Sequence, residues 1–552
     1  MDNEKIENLL QLSLAVTSQE RKKSGELSTG YNASENTFQV IVRYVDNLKR
    51  VEEMGIVVDY LLGEYAILNV TKEQIFAIAS YDEIIYIEQP KRVYYQVLQG
   101  KLVSCITRVQ TDSDGLSGEG ILVGIIDSGI DFFHPEFIMD GKTRILTYYD
   151  QWQGVILEQN QINEILQGER AGNLYRDSSG HGTAVASVAA GNSGVAYQSE
   201  LVVVKLGNPA RDNYFRTSQL MQAINFCIGV ARRQRKPIAI NLSFGNCYGD
   251  HNGTSLIETF IDQVSDLEKV CICVGNGNEG TAGGHYGGKI NPIEERIIEL
   301  AVDQFQSSFG IQIWKNFADR FEIILEGPGG ERFVIAEDMQ GIFQKDLSGT
   351  RVLCNASTPV PYRSRQEIYF DLLPLKDYVD GGIWRIRMLP KKIVNGEIDL
   401  YLPAQEALSQ GTRFLLPSPQ RTITIPATAR KCISVGAYNS YLDSYAEFSG
   451  RGYTFLDVSK PDILAPGVNI RCAVPGGGYE SLTGTSIATP FVTGSCALMM
   501  EWGIVKGNDL YLYGEKAKAY LHKGARQLHY LPETPNELSG YGRLCLADSI
   551  EN

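Results

Sequence analysis

From Ile121 to Ile126 the chain reads Ile-Leu-Val-Gly-Ile-Ile without one polar side chain, and the next residue is Asp127. A strand that alternates apolar and polar residues leaves one face to water. An unbroken apolar run needs cover on both faces, which points to a parallel sheet flanked by helices. The carboxylate of Asp127 then emerges at the C-terminal end of its strand, where open α/β sheets hold their ligands. An Asp that merely caps a turn would look the same, so its meaning depends on what else the chain supplies.

Two further blocks supply it. Gly484-Thr485-Ser486-Ile487-Ala488-Thr489-Pro490 places a hydroxyl in a glycine-bounded turn and then starts a helix of small and apolar residues. A serine there shows its oxygen and its backbone N–H to the same space, at the end of the helix that favours negative charge. Pro490 is expected in the first turn, where an N–H has no intrahelical partner. A capped surface helix would also fit, but a nucleophilic serine needs a base, and the chain has only six histidines. His181 lies in Ser179-Gly180-His181-Gly182-Thr183, flanked by glycines and followed by a helix of small residues, and the other five have no comparable setting. Asp, His and Ser in that order are hard to assign to packing.

The three blocks resemble the subtilisin-like serine proteases, whose triad follows the same chain order. Gly277-Asn278-Glu279-Gly280 agrees, and the resemblance implies that the Asn278 side chain donates to the oxyanion. Ile240-Asn241-Leu242-Ser243-Phe244-Gly245 is similar to the family strand whose backbone pairs with an extended peptide, which implies substrate-binding roles for Asn241, Ser243 and Gly245. The resemblance also implies pocket walls near Ser243–Gly245 and Val274–Gly277. The expected reaction is peptide hydrolysis: Ser486 attacks, His181 carries the proton, Asp127 orients the imidazole, and no metal or cofactor is required.

Composition limits the alternatives. With 552 residues the chain is too long for one ordinary core. A net charge of −14 argues against nucleic acid as a partner. The basic stretch Arg232-Arg233-Gln234-Arg235-Lys236 reads as the solvated end of a helix. No apolar run is long enough to span a bilayer, and the first residues lack the pattern of a secretory signal. Cys271, Cys273 and Cys432 fall in apolar strands, where a buried thiol is expected, whereas Cys105, Cys247 and Cys545 are undecidable. This profile leads us to expect a cytoplasmic or spore-associated protein.

Three bodies are expected. Residues 1–97 read as β-α-β-β-α-β, with strands near 38–44, 56–62, 64–70 and 83–90 and helices near 46–54 and 72–80, a split-βαβ fold. Its position resembles a subtilase prodomain that lies in the cleft and is self-cleaved, and Tyr94–Gly100 would thread the active site as first substrate. Residues 98–291 and 423–552 form the α/β catalytic core. Between them, 292–422 alternates apolar and polar in short runs between glycine and proline turns, the pattern of an all-β jelly roll. This organisation most resembles the clostridial Csp germination proteases, and implies activation of a protein zymogen by limited proteolysis. Some members of that group are silent pseudoproteases that act by binding or signalling, which is the alternative function. For the inserted body a rigidifying role is expected, with ligand binding through Trp314 and Trp384 as the alternative.

Overall fold

The computed structural model describes residues 5–17, 21, 30–61, 64–90, 96–111, 115–168, 177, 179–207, 215–267, 269–356, 365–454, 458–531 and 533–550. The chain divides into two compact units, Met1–Tyr94 and Tyr95–Asn552.

In the first unit, strands Thr37–Tyr44, Val58–Leu61, Tyr65–Val70 and Ile84–Glu88 form an antiparallel sheet with helix Lys72–Ala79. The strand order is last, first, third, second, which is the split-βαβ arrangement. Burial alternates along Thr37–Tyr44, so Val40 and Val42 join Leu68, Ile75, Ile78 and Ile87 in one core. Thr71 and Gln74 cap helix Lys72–Ala79 reciprocally. A helix not expected from the sequence, Asn8–Ala15, precedes the one expected over 46–54, which is shorter. Only Lys49–Glu52 is helical, opened by an Asn47 side chain that accepts from the Lys49 N–H and ended by the turn at Gly55.

The second unit is built on a nine-stranded sheet. Its strands run 155–158, 145–150, 200–205, 122–127, 238–242, 270–275, 433–439 and 444–445, with 463–466 also paired to 433–439. Neighbours are parallel except at the two outer hairpin strands, 155–158 and 444–445. The apolar runs are continuous because each face has its own core. Val123, Ile125, Leu201 and Cys273 face the helices His181–Ala190 and Thr485–Met500. Leu122, Ile126, Val202 and Ile240 face Thr217–Gln234 and Leu256–Ser265.

The inserted body is an antiparallel β-sandwich with strands from His285 to Phe414. A six-stranded and a five-stranded sheet share one core, including Ile311, Phe370, Ile323 and Ile386. Trp314 and Trp384 are both buried, which removes them as surface ligand-binding aromatics. Asp399, fully buried, fastens the sandwich where the chain leaves and re-enters the core. It accepts from Arg365 Nη2 at 2.7 Å and Arg421 Nη1 at 3.2 Å, and lies 3.0 Å from His285 Nε2. Tyr401 stacks on His285 and on His251 of the core, with ring centroids 4.5 and 4.1 Å apart.

Cys105 and Cys545 form a disulfide that ties the start of the catalytic unit to its last helix across 440 residues of sequence. Cys247, like Cys271, Cys273 and Cys432, is a buried free thiol. The expected path of Tyr94–Gly100 needs correction. Tyr94 and Tyr95 lie outside the described residues, and Gln96–Val103 is a helix rather than an extended strand. Gly100 allows that helix to sit on the Phe491 ring, and Lys101 Nζ donates to the Gly194 carbonyl at 2.9 Å.

Candidate active site

The chain reverses direction across the sheet between strands 200–205 and 238–242, which flank the Asp127 strand, so a crevice opens at their C-terminal ends. Asp127 closes its strand there, fully buried, with Oδ1 taking the Ser128 N–H at 2.7 Å. His181 begins the next helix on that face, and its Nδ1 lies 2.7 Å from Asp127 Oδ1. Gly182 permits this approach, because a Cβ there would fall 2.2 Å from the Gly129 carbonyl oxygen and 3.0 Å from Asp127 Cβ.

The bond fixes the imidazole. With Nδ1–H donating to Asp127, the proton-accepting atom is Nε2, on a ring that stays one-third exposed to the crevice. Burial disfavours a charged ring, but the charge and hydrogen bond of Asp127, with Asp177 beyond, outweigh it and hold His181 above its ordinary pKa.

Asp177 was not singled out from the sequence. Its Oδ1 accepts from Ser128 Oγ at 2.8 Å and the Gly180 N–H at 3.0 Å, and Oδ2 accepts from the N–H and hydroxyl of Thr183 at 2.9 and 2.8 Å. It therefore caps the His181 helix. The signal was present as an acidic residue a few positions before a helix start.

Ser486 lies in the first turn of Thr485–Met500, and its backbone N–H has no intrahelical acceptor. Asn278 is held beside it. The Asn278 Oδ1 accepts the Thr485 N–H at 3.0 Å and the Thr485 hydroxyl at 3.2 Å, which leaves Nδ2 free to donate. A Cβ built on Gly484 would lie 3.1 Å from Ser486 Oγ and 3.6 Å from Asn278 Nδ2, so hydroxyl and amide border one small space. Glu279 follows, buried among its neighbours. Burial, then the charge of Glu406, push its carboxyl up to about 7.

Ser243 and Phe244 join the two halves. Ser243 Oγ donates to the Ser486 carbonyl at 3.1 Å, and the Phe244 ring centroid is 6.0 Å from that of His181. Asn241 is fully buried and does not reach the crevice with its side chain. Its Nδ2 donates to Ser243 Oγ at 2.9 Å and its Oδ1 accepts from Thr493 at 3.0 Å, so it positions Ser243. Gly245 packs on Thr424. Among the described residues no hydrogen bond joins His181 to Ser486, a contact that in unliganded sites often closes only on substrate.

This arrangement supplies a base with a fixed tautomer, a hydroxyl and an amide donor, the parts needed for acyl transfer. Residues 118–307 and 417–542 match the Subtilase family, and residues 4–91 match the Csp protease B prodomain. The chain belongs to the subtilase family of serine proteases. It is similar to the solved CspB protease of Clostridium perfringens, with 35% identity and a TM-score of 0.78 over 82% of this chain and 96% of that one. It is 26% identical over 426 residues to the minor extracellular protease Vpr of Bacillus subtilis, covering 70% of this chain and 46% of Vpr. With subtilisin E of Bacillus subtilis it shares 43% identity over 80 residues, 14% of this chain and 19% of that protein. The chain thus spans about half or less of the length of these two curated relatives. The subtilase-like core, the N-terminal split-βαβ unit and the inserted all-β body expected from the sequence are all present. Among the described residues no helix is long and apolar enough to cross a membrane.

Proposed function

We propose that this protein is an active serine endopeptidase that cuts off its own N-terminal unit and then activates another protein by limited proteolysis, in a germination-type role. Ser486 Oγ adds to the scissile carbonyl while His181 Nε2 takes its proton. Asp127 stays ionised and stabilises the imidazolium. The Asn278 amide and the Ser486 N–H receive the charge that develops on oxygen. His181 then passes its proton to the leaving amine as the C–N bond breaks, and water releases the acyl group by the same route in reverse. No step calls for a metal.

The observation that carries this reading is the 2.7 Å contact between His181 and Asp127 in a chain that also sets Ser486 Oγ and Asn278 Nδ2 around Gly484. Self-processing is supported by the match of residues 4–91 to a Csp protease prodomain, and zymogen activation by the likeness to CspB. The same reading places the protein in the cytoplasm or with the spore; eight buried free thiols accord with that, and the Cys105–Cys545 disulfide speaks for a more oxidising setting than the cytoplasm. Intact mass spectrometry tests it: the purified protein loses a fragment of roughly its first compact unit, residues 1–94, and Ser486→Ala stays full length. A single full-length species for both would reject self-processing.

A further inference from the structure

Just past the end of the His181 helix, neighbouring residues Ser193, Gly194 and Val195 are each gripped by a side chain from a different element. The Ser193 N–H and hydroxyl donate to Glu136 at 2.8 and 2.6 Å. The Gly194 carbonyl accepts from Lys101 Nζ at 2.9 Å, and the Val195 carbonyl accepts from Gln110 Nε2 at 2.7 Å. The gripped turn folds back on the helix it follows. Its Val195 and Ala196 N–H groups donate to the Val188 and Ala189 carbonyls, both at 2.9 Å. It also presses on the Ser486 helix, since a Cβ on Gly494 would lie 2.5 Å from Val195 Cβ. The helix that carries Lys101 meets the same neighbour, because a Cβ on Gly100 would lie 2.4 Å from Phe491 Cζ. Lys101 thus stands where the supports of the imidazole and of the hydroxyl come together.

Packing alone does not call for an ammonium there. Lys101 is 9% exposed, and a buried charge needs a compensating one. Burial pulls its pKa down to about 8, and the charge of Glu136 opposes the fall. The surrounding elements bring other polar groups, each engaged elsewhere or neutral. Arg144 donates to the Glu136, Ala190 and Ser199 carbonyls. Tyr197 offers the face of its ring, 5.9 Å from Nζ. Cys472 lies on the strand Ile470–Val474 that packs on the same helix, and burial pushes its thiol up to about 12. Arg108 of the next helix reaches Asp548 at 4.0 Å. A leucine or methionine would fill the place with no charge to bury, so it is the bond to Gly194 that the ammonium supplies.

We propose that Lys101 is a positioning residue for the reaction: its ammonium, drawn by Glu136 onto the Gly194 carbonyl, sets the His181 helix against the Ser486 helix and keeps imidazole and hydroxyl in register. This rests on the endopeptidase reading above. Proton transfer from Ser486 to His181 depends steeply on distance, so a small slip between the two helices is felt in the rate. As pH rises through about 8 the ammonium becomes an amine, its attraction to Glu136 is lost, and the turn loosens. The rate therefore has an alkaline limit that does not come from the base itself.

A small fluorophosphonate tests this, because its rate of labelling Ser486 depends on the His181–Ser486 register and on no peptide specificity. In the wild-type protein the rate should fall about tenfold between about pH 7 and about pH 9.5. Lys101→Arg keeps its charge over that range and should lose the alkaline fall. Lys101→Met should label about tenfold more slowly at about pH 7, with no further fall in alkali. A wild-type rate that holds in alkali overturns the inference without any variant. So does a fall that persists unchanged in Lys101→Arg, or full-speed labelling of Lys101→Met. The two variants are read independently, so one that fails to fold, as thermal melts would show, leaves the other to decide. If the wild type is not labelled at any pH, it is the endopeptidase reading that fails, and this inference with it.

Discussion

At the scale of single residues, the site turns on one imidazole with a set tautomer. Asp127 accepts a hydrogen bond from Nδ1–H and holds His181 above its ordinary pKa against the effect of burial. A base works only when neutral, so activity should be lost as pH falls through that raised value, above the ~6.5 of a free histidine. Asp127→Asn removes the cause. The low-pH midpoint of kcat/KM should then shift downward, while turnover falls by roughly 10⁴ because the wrong tautomer is no longer penalised. A midpoint unchanged in the variant would show that another group controls the profile. Asn278 illustrates what a residue's neighbours add: Asn-Glu-Gly in sequence permits either orientation of the amide, and the Thr485 N–H decides it by demanding an oxygen.

At the scale of elements, two helices of small residues lie on one face of the sheet because their side chains permit close approach. The His181 helix reaches the Asp127 strand only through Gly182, where any Cβ would press on the Gly129 carbonyl. Gly182→Ala should cost about 1–3 kcal/mol in unfolding free energy by overpacking. By moving the imidazole it should also reduce kcat about a hundredfold, with full-length protein accumulating in the processing assay. The helix elements were legible beforehand as motifs, because glycines beside a histidine or a serine leave a mark in sequence. The Asp177 cap was less so, since nothing local says which of several acidic residues will turn inward. The helix over Gln96–Val103, in part of the stretch Tyr94–Gly100 that is expected to thread the active site, leaves no local mark, because its stability comes from Phe491 and the Gly194 carbonyl, both distant in sequence.

At the scale of the whole molecule, Asp399 closes the inserted sandwich where its chain leaves and re-enters the core, with Arg365, Arg421 and His285 around it. These partners overcome the burial of Asp399 and hold its carboxyl below the usual carboxylate range. A depressed acid contributes stability that is present above its unfolded pKa and lost as pH falls below it. Asp399→Asn should lower the unfolding free energy by about 3–5 kcal/mol at neutral pH, since it leaves buried cationic partners uncompensated. The difference should narrow in acid, as thermal melts across pH would record. The sequence by itself determined the parallel sheet, the split-βαβ unit and the β-rich insert, and it singled out Asp127, His181, Asn278 and Ser486 as the residues that carry the proposed reaction. Each is written in a local pattern: an unbroken apolar run, a period of two, or glycines around a reactive side chain. Only the tertiary structure decided that Asn241 supports Ser243 instead of facing the crevice, that Cys105 meets Cys545, and that Thr424 stands between Gly245 and Gly277. Those outcomes depend on segments far apart in the chain arriving at one place, and no local pattern of residues encodes which partner a buried polar group will find there.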